Sequence, residues 1–143
     1  MPFRLLLPKA VYDTMVAQAL AEQPLECCGL LAGVIEEGIG RVLRAYPLVN
    51  ALASPVEYES DARSMLEAMR DLTRRNHDVL AVYHSHPTSA PLPSRKDLQR
   101  NWIARDGLGD VVHLIISLVE SPPLVRAWWL DENEYRPADW EVT

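Results

Sequence analysis

Long apolar runs, clustered basic charge and spaced cysteines are all missing from this chain of 143 residues. No apolar stretch approaches the ~20 residues that cross a bilayer, so no membrane partner is expected. Net charge is −6, and apart from Arg70, Arg74 and Arg75 the basic residues are scattered. Nucleic acid is thus a poor expected partner, because affinity for it rests on clustered neutralisation of phosphates. The only cysteines, Cys27 and Cys28, are neighbours and cannot close an ordinary long-loop disulfide. They read as reduced thiols of a cytoplasmic protein, and in the apolar run Cys27 to Val34 as small hydrophobes rather than metal ligands. The opening Met1 to Pro8 lacks the basic start, longer hydrophobic region and small-residue cleavage site of a secretory signal, and is expected to form a first strand.

What is present is ordinary globular composition, 48% hydrophobic and 24% charged. A chain of this length can bury roughly 70% of the surface its unfolded form exposes, so one domain over residues 1–143 is expected. Val11, Met15, Val16, Ala19 and Leu20 recur at helical spacing between Pro8 and Glu22, with Pro24 just beyond. Cys28 to Ile35 and Arg41 to Val49 read as a β-hairpin with Gly38 and Gly40 in its turn. Residues 50–59 read as irregular to extended; Pro55 bars them from a central strand, leaving a possible edge for a partner over Pro55 to Glu59. A second helix is predicted from Ser60 to Asn76, its apolar stripe being Met65, Leu66, Met69 and Leu72. Val79 to Tyr83, Val111 to Val119 and Leu124 to Leu130 read as strands. Ser94 is expected to open a helix reaching about Ala104, and Tyr135, Pro137 and Trp140 to dock the tail.

The most informative residues are His84-Ser85-His86-Pro87, followed by Ser94-Arg95-Lys96-Asp97. In an extended segment, residues i and i+2 point the same way about 6 to 7 Å apart, so two imidazoles can converge on one ion. Asp97 can add an oxygen ligand from a following helix. Three protein ligands leave a tetrahedral zinc one open position, as a catalytic site requires. The three prolines between Pro87 and Pro93 stiffen the intervening loop. Each part has a plainer reading. Ser94-x-x-Asp97 alone resembles a capping box, and a lone strand-end histidine is usually structural. Their joint occurrence favours metal.

These residues, with Glu26 in Glu26-Cys27-Cys28-Gly29-Leu30-Leu31, resemble the JAMM (MPN+) zinc metalloprotease family, whose pattern is a strand-start glutamate, H-x-H, seven residues and S-x-x-D. The resemblance implies an α/β fold: a single MPN (JAB) domain with a curved mixed β-sheet flanked by helices. It also implies peptidase or isopeptidase activity. Carried onto this chain, it makes His84, His86 and Asp97 the ligands of one catalytic Zn2+, Glu26 the general base and acid, and Ser94 a stabiliser of the oxyanion. Spacing alone does not choose Glu26 over Glu22; the family pattern does. No long insertion flanks the motif, so the chain is similar to compact bacterial members, whose expected partner is the C-terminal tail of a ubiquitin-like or sulfur-carrier protein. Such a tail could add to an exposed edge near Tyr58.

His113, on an apolar strand, reads as a core or supporting residue, since a fourth protein ligand would close the open position. His77 reads as a helix-end cation or surface residue. Ser85 is discounted as a nucleophile because it points opposite to both imidazoles. Rival readings are a non-catalytic binding module of the same fold and a RadC-like protein of unrelated role. A zinc deaminase is disfavoured by the lack of a P-C-x-x-C pair.

Overall fold

The computed structural model describes residues 2–99, 110–131 and 134–143. Eight strands form one mixed sheet: β1 (Arg4–Leu7), β2 (Cys28–Glu36), β3 (Ile39–Leu48), β4 (Asp78–His86), β5 (Val112–Ser117), β6 (Leu124–Leu130), β7 (Tyr135–Pro137) and β8 (Trp140–Val142). Their spatial order is β7-β6-β5-β4-β2-β3-β1-β8. The helices are α1 (Lys9–Glu22), α2 (Ala62–Arg74) and the short α3 (Arg95–Gln99). The expected curved mixed sheet with helices is therefore present.

Strand alternation divides the core in two. Cys27, Leu31, Ala81, Tyr83, Leu114 and Ile116 cluster with Met15 and Ala19 of α1. Cys28, Leu30 and Val82 cluster instead with Ala68 and Leu72 of α2. Along α1 the row Val11, Met15, Ala19 meets the sheet, whereas Leu20 lies about 100° further round and is 44% exposed. Leu66 departs from its predicted stripe in the same way and is 50% exposed, with Ala68 taking an inward place. Asp61 caps α2 by accepting the Ser64 N–H at 3.0 Å.

The hairpin turn is Glu37-Gly38, both at positive φ (52° and 76°), the geometry a two-residue turn demands. Gly40, expected in that turn, instead lies within β3. Strand β4 outruns its predicted apolar segment, since the ladder continues through both histidines: His84 pairs with Cys28 on one side, and Ser85 and His86 with Ile116 and Ser117 on the other. β7 and β8 are three-residue strands with too little length to show a period. Trp140 stacks on Tyr12 at 6.4 Å, so one of the three expected tail anchors meets α1. Trp129 is buried edge-on against Phe3. Residues 50–60 form no sheet strand; an isolated Asn50–Ser60 bridge closes them into a loop, so Pro55 to Glu59 is not a sheet edge. The predicted stretch of helix beyond residue 99, Trp102, and most of the turn 105–110 lie outside the described residues.

One close approach locks the sheet to α1. A Cβ at Gly29 would stand 2.1 Å from Cζ of Tyr83. Tyr83 is 1% exposed and its hydroxyl donates to Gln18 Oε1, while Gln18 Nε2 donates to the Cys28 carbonyl at 3.0 Å. Gly29→Ala is expected to destabilise the fold by about 3 kcal/mol, read as a lowered urea midpoint at unchanged slope.

Candidate metal centre

Strand β4 supplies both histidines to the α2 face of the sheet, where they are almost wholly buried. His84 Nε2 lies 3.1 Å from His86 Nε2 and 3.2 Å from Asp97 Oδ1, and His86 Nε2 lies 3.2 Å from Asp97 Oδ2. Among the described residues, these three form the group whose ligand atoms converge closely enough to hold a metal ion. Donors at about 2.0–2.1 Å around a tetrahedral zinc stand roughly 3.3 Å apart, so the donor set fits such an ion. The tautomer fits as well. His86 Nδ1 lies 2.8 Å from the Ala90 carbonyl, which can only accept, so Nδ1 carries the hydrogen and a neutral ring turns its Nε2 lone pair inward.

The proline-rich loop braces this centre from the side. Ser117 Oγ donates to the Ser89 carbonyl at 2.7 Å and Trp128 Nε1 to the Pro91 carbonyl at 2.9 Å. Trp128 thereby holds the loop that fixes His86. Asp97 combines two roles that the sequence presents as alternatives. Its carboxylate accepts the Ser94 N–H at 2.8 Å and its own N–H donates to Ser94 Oγ at 3.1 Å, a reciprocal cap at the start of α3. The same carboxylate faces both imidazoles. Ser94 is exposed, and no acceptor takes its hydroxyl proton among the described residues.

Glu26 enters from the chain preceding β2. The Cys28–His84 register, extended by Cys27 N–H donating to Ser85 Oγ at 2.8 Å and Ser85 N–H to the Cys27 carbonyl at 3.1 Å, brings Glu26 level with His86 on the same face. Ser85 is thus occupied on the opposite face. Glu26 is 4% exposed, and its Oε1 has no hydrogen-bond partner among the described residues. Burial pushes its pKa up to about 8, with His86 opposing and Asp97 adding to the rise. Burial would also raise Asp97, but His84, His86 and the Ser94 N–H hold it well below the usual carboxylate range. For His86, burial pulls down, yet the Asp97 bond and charge and the Ala90 carbonyl together raise it above the ordinary value.

These directions give a stability prediction. Glu26 rises from an ordinary 4.5 to about 8 in the folded protein. The protonated form is therefore favoured by folding: near pH 4 it is neutral in both states, and as pH rises toward 8 the unfolded chain ionises first and stability falls. Chelator-treated Glu26→Gln is expected to match wild type near pH 4 and to exceed it at pH 9 by on the order of a few kcal/mol, measured by denaturant unfolding at both pH values.

The remaining candidates do not join the cluster. His113 is 4% exposed on the His84 face; burial first, and His84 second, depress its pKa to about 3, leaving it neutral. It is not in the converging group. Burial pushes both Cys27 and Cys28 up to about 12, so they are protonated apolar side chains. Periodicity gave no signal for Tyr58, which stacks on His84 at 4.5 Å and 22°. Nor did it signal the Lys96–Glu57 ion pair, 2.7 Å across, that joins α3 to the loop carrying Tyr58. Both contacts are non-local.

A curled mixed sheet carrying a buried His-x-His and carboxylate group beside a buried glutamate defines a hydrolase of the JAMM type. The chain belongs to the prokaryotic homologs of the JAB domain, whose family model matches residues 8–131. It is 36% identical over 124 residues to a desampylase of Pyrococcus furiosus, covering 85% of this chain and 79% of that protein. It is 37% identical over 87 residues to the CysO-cysteine peptidase of Mycobacterium tuberculosis, covering 61% and 58% respectively. A probable TtuB-protein conjugate cleaving protease of Thermus thermophilus is 38% identical over 96 residues, covering 66% and 62%. The match thus spans less than two thirds of the length of these last two relatives. The solution structure of a Desulfitobacterium hafniense protein superposes with a TM-score of 0.84 at 30% identity, covering 97% of this chain and 92% of that one. No helix among the described residues is long and apolar enough to cross a membrane.

Proposed function

We propose that this chain is a zinc-dependent peptidase that hydrolyses the amide bond following the C-terminal tail of a ubiquitin-like or sulfur-carrier protein. The observation that carries this reading is the convergence of His84, His86 and Asp97 within 3.1–3.2 Å, beside a buried Glu26 oxygen with no partner among the described residues. His84, His86 and Asp97 would hold one zinc and leave a position open to solvent and substrate. When bound, the ion would supply a Lewis acid and a water of lowered pKa. Glu26, level with His86, takes a proton from the attacking water and returns it to the departing amine. The Ser94 hydroxyl, whose oxygen already accepts the Asp97 N–H, donates its hydrogen to the carbonyl oxygen as negative charge develops there.

The proposed substrate class is supported by the relatives' names: a desampylase, a CysO-cysteine peptidase and a probable TtuB-protein conjugate cleaving protease. A cytoplasmic setting accords with two buried, free thiols. The test is cleavage by the zinc-loaded protein of fusions carrying a reporter after the terminal glycine of a panel of carrier proteins. Cleavage between carrier and reporter, lost with a chelator and restored by zinc, is the expected result. No cleavage across the panel by protein holding one zinc would overturn the reading in favour of a binding module.

A further inference from the structure

The backbone of Glu26 is held by a loop rather than by the sheet. β2 begins at Cys28, and the two polar groups of Glu26 turn toward residues 50–54. The Glu26 N–H donates to the Ser54 carbonyl at 2.8 Å, and the Glu26 carbonyl accepts from Asn50 Nδ2 at 3.0 Å. Asn50 is 9% exposed, and its amide is fully used. Nδ2 also donates to the Glu57 carbonyl at 3.0 Å, while Oδ1 accepts the N–H groups of Leu52 and Glu59, each at 3.1 Å. Two donors and two acceptor positions exhaust what a carboxamide offers. One side chain therefore closes the loop on itself and fastens it to Glu26.

That loop reaches the centre at two further points. Tyr58 lies over the His84 ring at 4.5 Å, and Glu57 meets Lys96, next to Asp97, at 2.7 Å. A shift of the loop would move Glu26 and the cover of His84 together, whereas β4 and its histidines are held independently by β2 and β5.

We infer that Asn50 is a positioning residue for the reaction: its carboxamide sets the place of the Glu26 carboxylate relative to the metal ligands by clamping the 50–60 loop to the Glu26 carbonyl. The inference rests on the hydrolytic reading above for its catalytic consequence, but its geometric content stands apart from it. A displacement of about 1 Å at a reacting group is enough to slow an enzyme by up to about 10²-fold, so a clamp on a main-chain carbonyl suffices for a large effect.

Asn50→Asp is the sharpest test, because it keeps the size and the accepting oxygen but sets a second oxygen against the carbonyls of Glu26 and Glu57. Hydrogen exchange by mass spectrometry is expected to show faster exchange in peptides covering 24–28 and 50–60, with α2, β4 and β5 unchanged. Bound zinc stays at one per chain. On a cleaved fusion, kcat falls about 10- to 100-fold while KM moves less than about threefold. Combined with Glu26→Gln, the second substitution adds nothing, because both act through one carboxylate. Asn50→Ala, which removes all four carboxamide bonds without setting an oxygen against the two carbonyls, supplies a second variant with the same exchange pattern should the aspartate variant fold poorly. Unchanged exchange at 24–28 in both variants would overturn the inference whatever the activity. Additive losses of kcat in the double variant would overturn the route through Glu26. If the wild type cleaves nothing, the proposed function fails, and the exchange pattern alone decides whether Asn50 places Glu26.

Discussion

Glu26→Gln is expected to retain one zinc per chain and to lose about 10²- to 10⁴-fold in the rate of carrier-fusion cleavage, the range a positioned general base supplies. The substitution is nearly isosteric, so the ladder from Cys27 to Ser85 and the tie from Asn50 to the Glu26 carbonyl have no reason to move. What is lost is the ability to take and return a proton. Glutamine cannot ionise, and its amide presents a donor where the buried Oε1 has no partner among the described residues. Zinc counting by native mass spectrometry beside single-turnover cleavage separates the two properties. Equal cleavage by both proteins would remove Glu26 from the chemistry. Loss of zinc along with cleavage would make it a ligand, contrary to the three-residue convergence.

The convergence of His84, His86 and Asp97 was legible because its geometry is local. His84 and His86 alternate along one strand, and Asp97 opens a helix after a loop stiffened by prolines, so residue spacing nearly determines the meeting point. Glu26 was legible only by resemblance. Its approach depends on the antiparallel register that sets Cys28 against His84, a pairing of residues 56 apart that no periodicity encodes. The same limit hid Asn50, Tyr58 and Glu57, whose contacts run from one loop to the chain just before β2, to β4 and to α3. In the fold, the long amphipathic segments were readable to within a residue or two. Leu20 and Leu66 were misplaced because an apolar residue at the margin of a helical stripe can turn outward at little cost. The edge proposed at Pro55 to Glu59 failed for another reason. Asn50 satisfies the main-chain groups of residues 52, 57 and 59 internally, so the segment becomes a closed loop rather than an open strand. A carrier tail that docks there must meet side chains and the Lys96–Glu57 bridge rather than a ready ladder.

Asp97→Asn and Ser94→Ala together are expected to separate the two roles joined in Ser94-x-x-Asp97. Asparagine still offers an oxygen to the Ser94 N–H, so the cap of α3 can persist, but the charge facing His84 and His86 is gone. A neutral amide is a far weaker ligand for a divalent ion than a carboxylate. Asp97→Asn is therefore expected to fold with a wild-type circular dichroism spectrum, to keep no zinc through buffer exchange, and to have no detectable cleavage. Ser94→Ala removes the acceptor of the Asp97 N–H and the outward hydroxyl while leaving all three ligands. It is expected to retain zinc, to lose about 1 kcal/mol of stability as caps do, and to cleave about 10²- to 10³-fold more slowly, as when one oxyanion donor is removed. If Asp97→Asn bound zinc as tightly as wild type, the carboxylate would be a helix cap alone. The centre would then hold two histidines and no third protein ligand among the described residues, too few for the open four-coordinate site on which the hydrolytic reading depends.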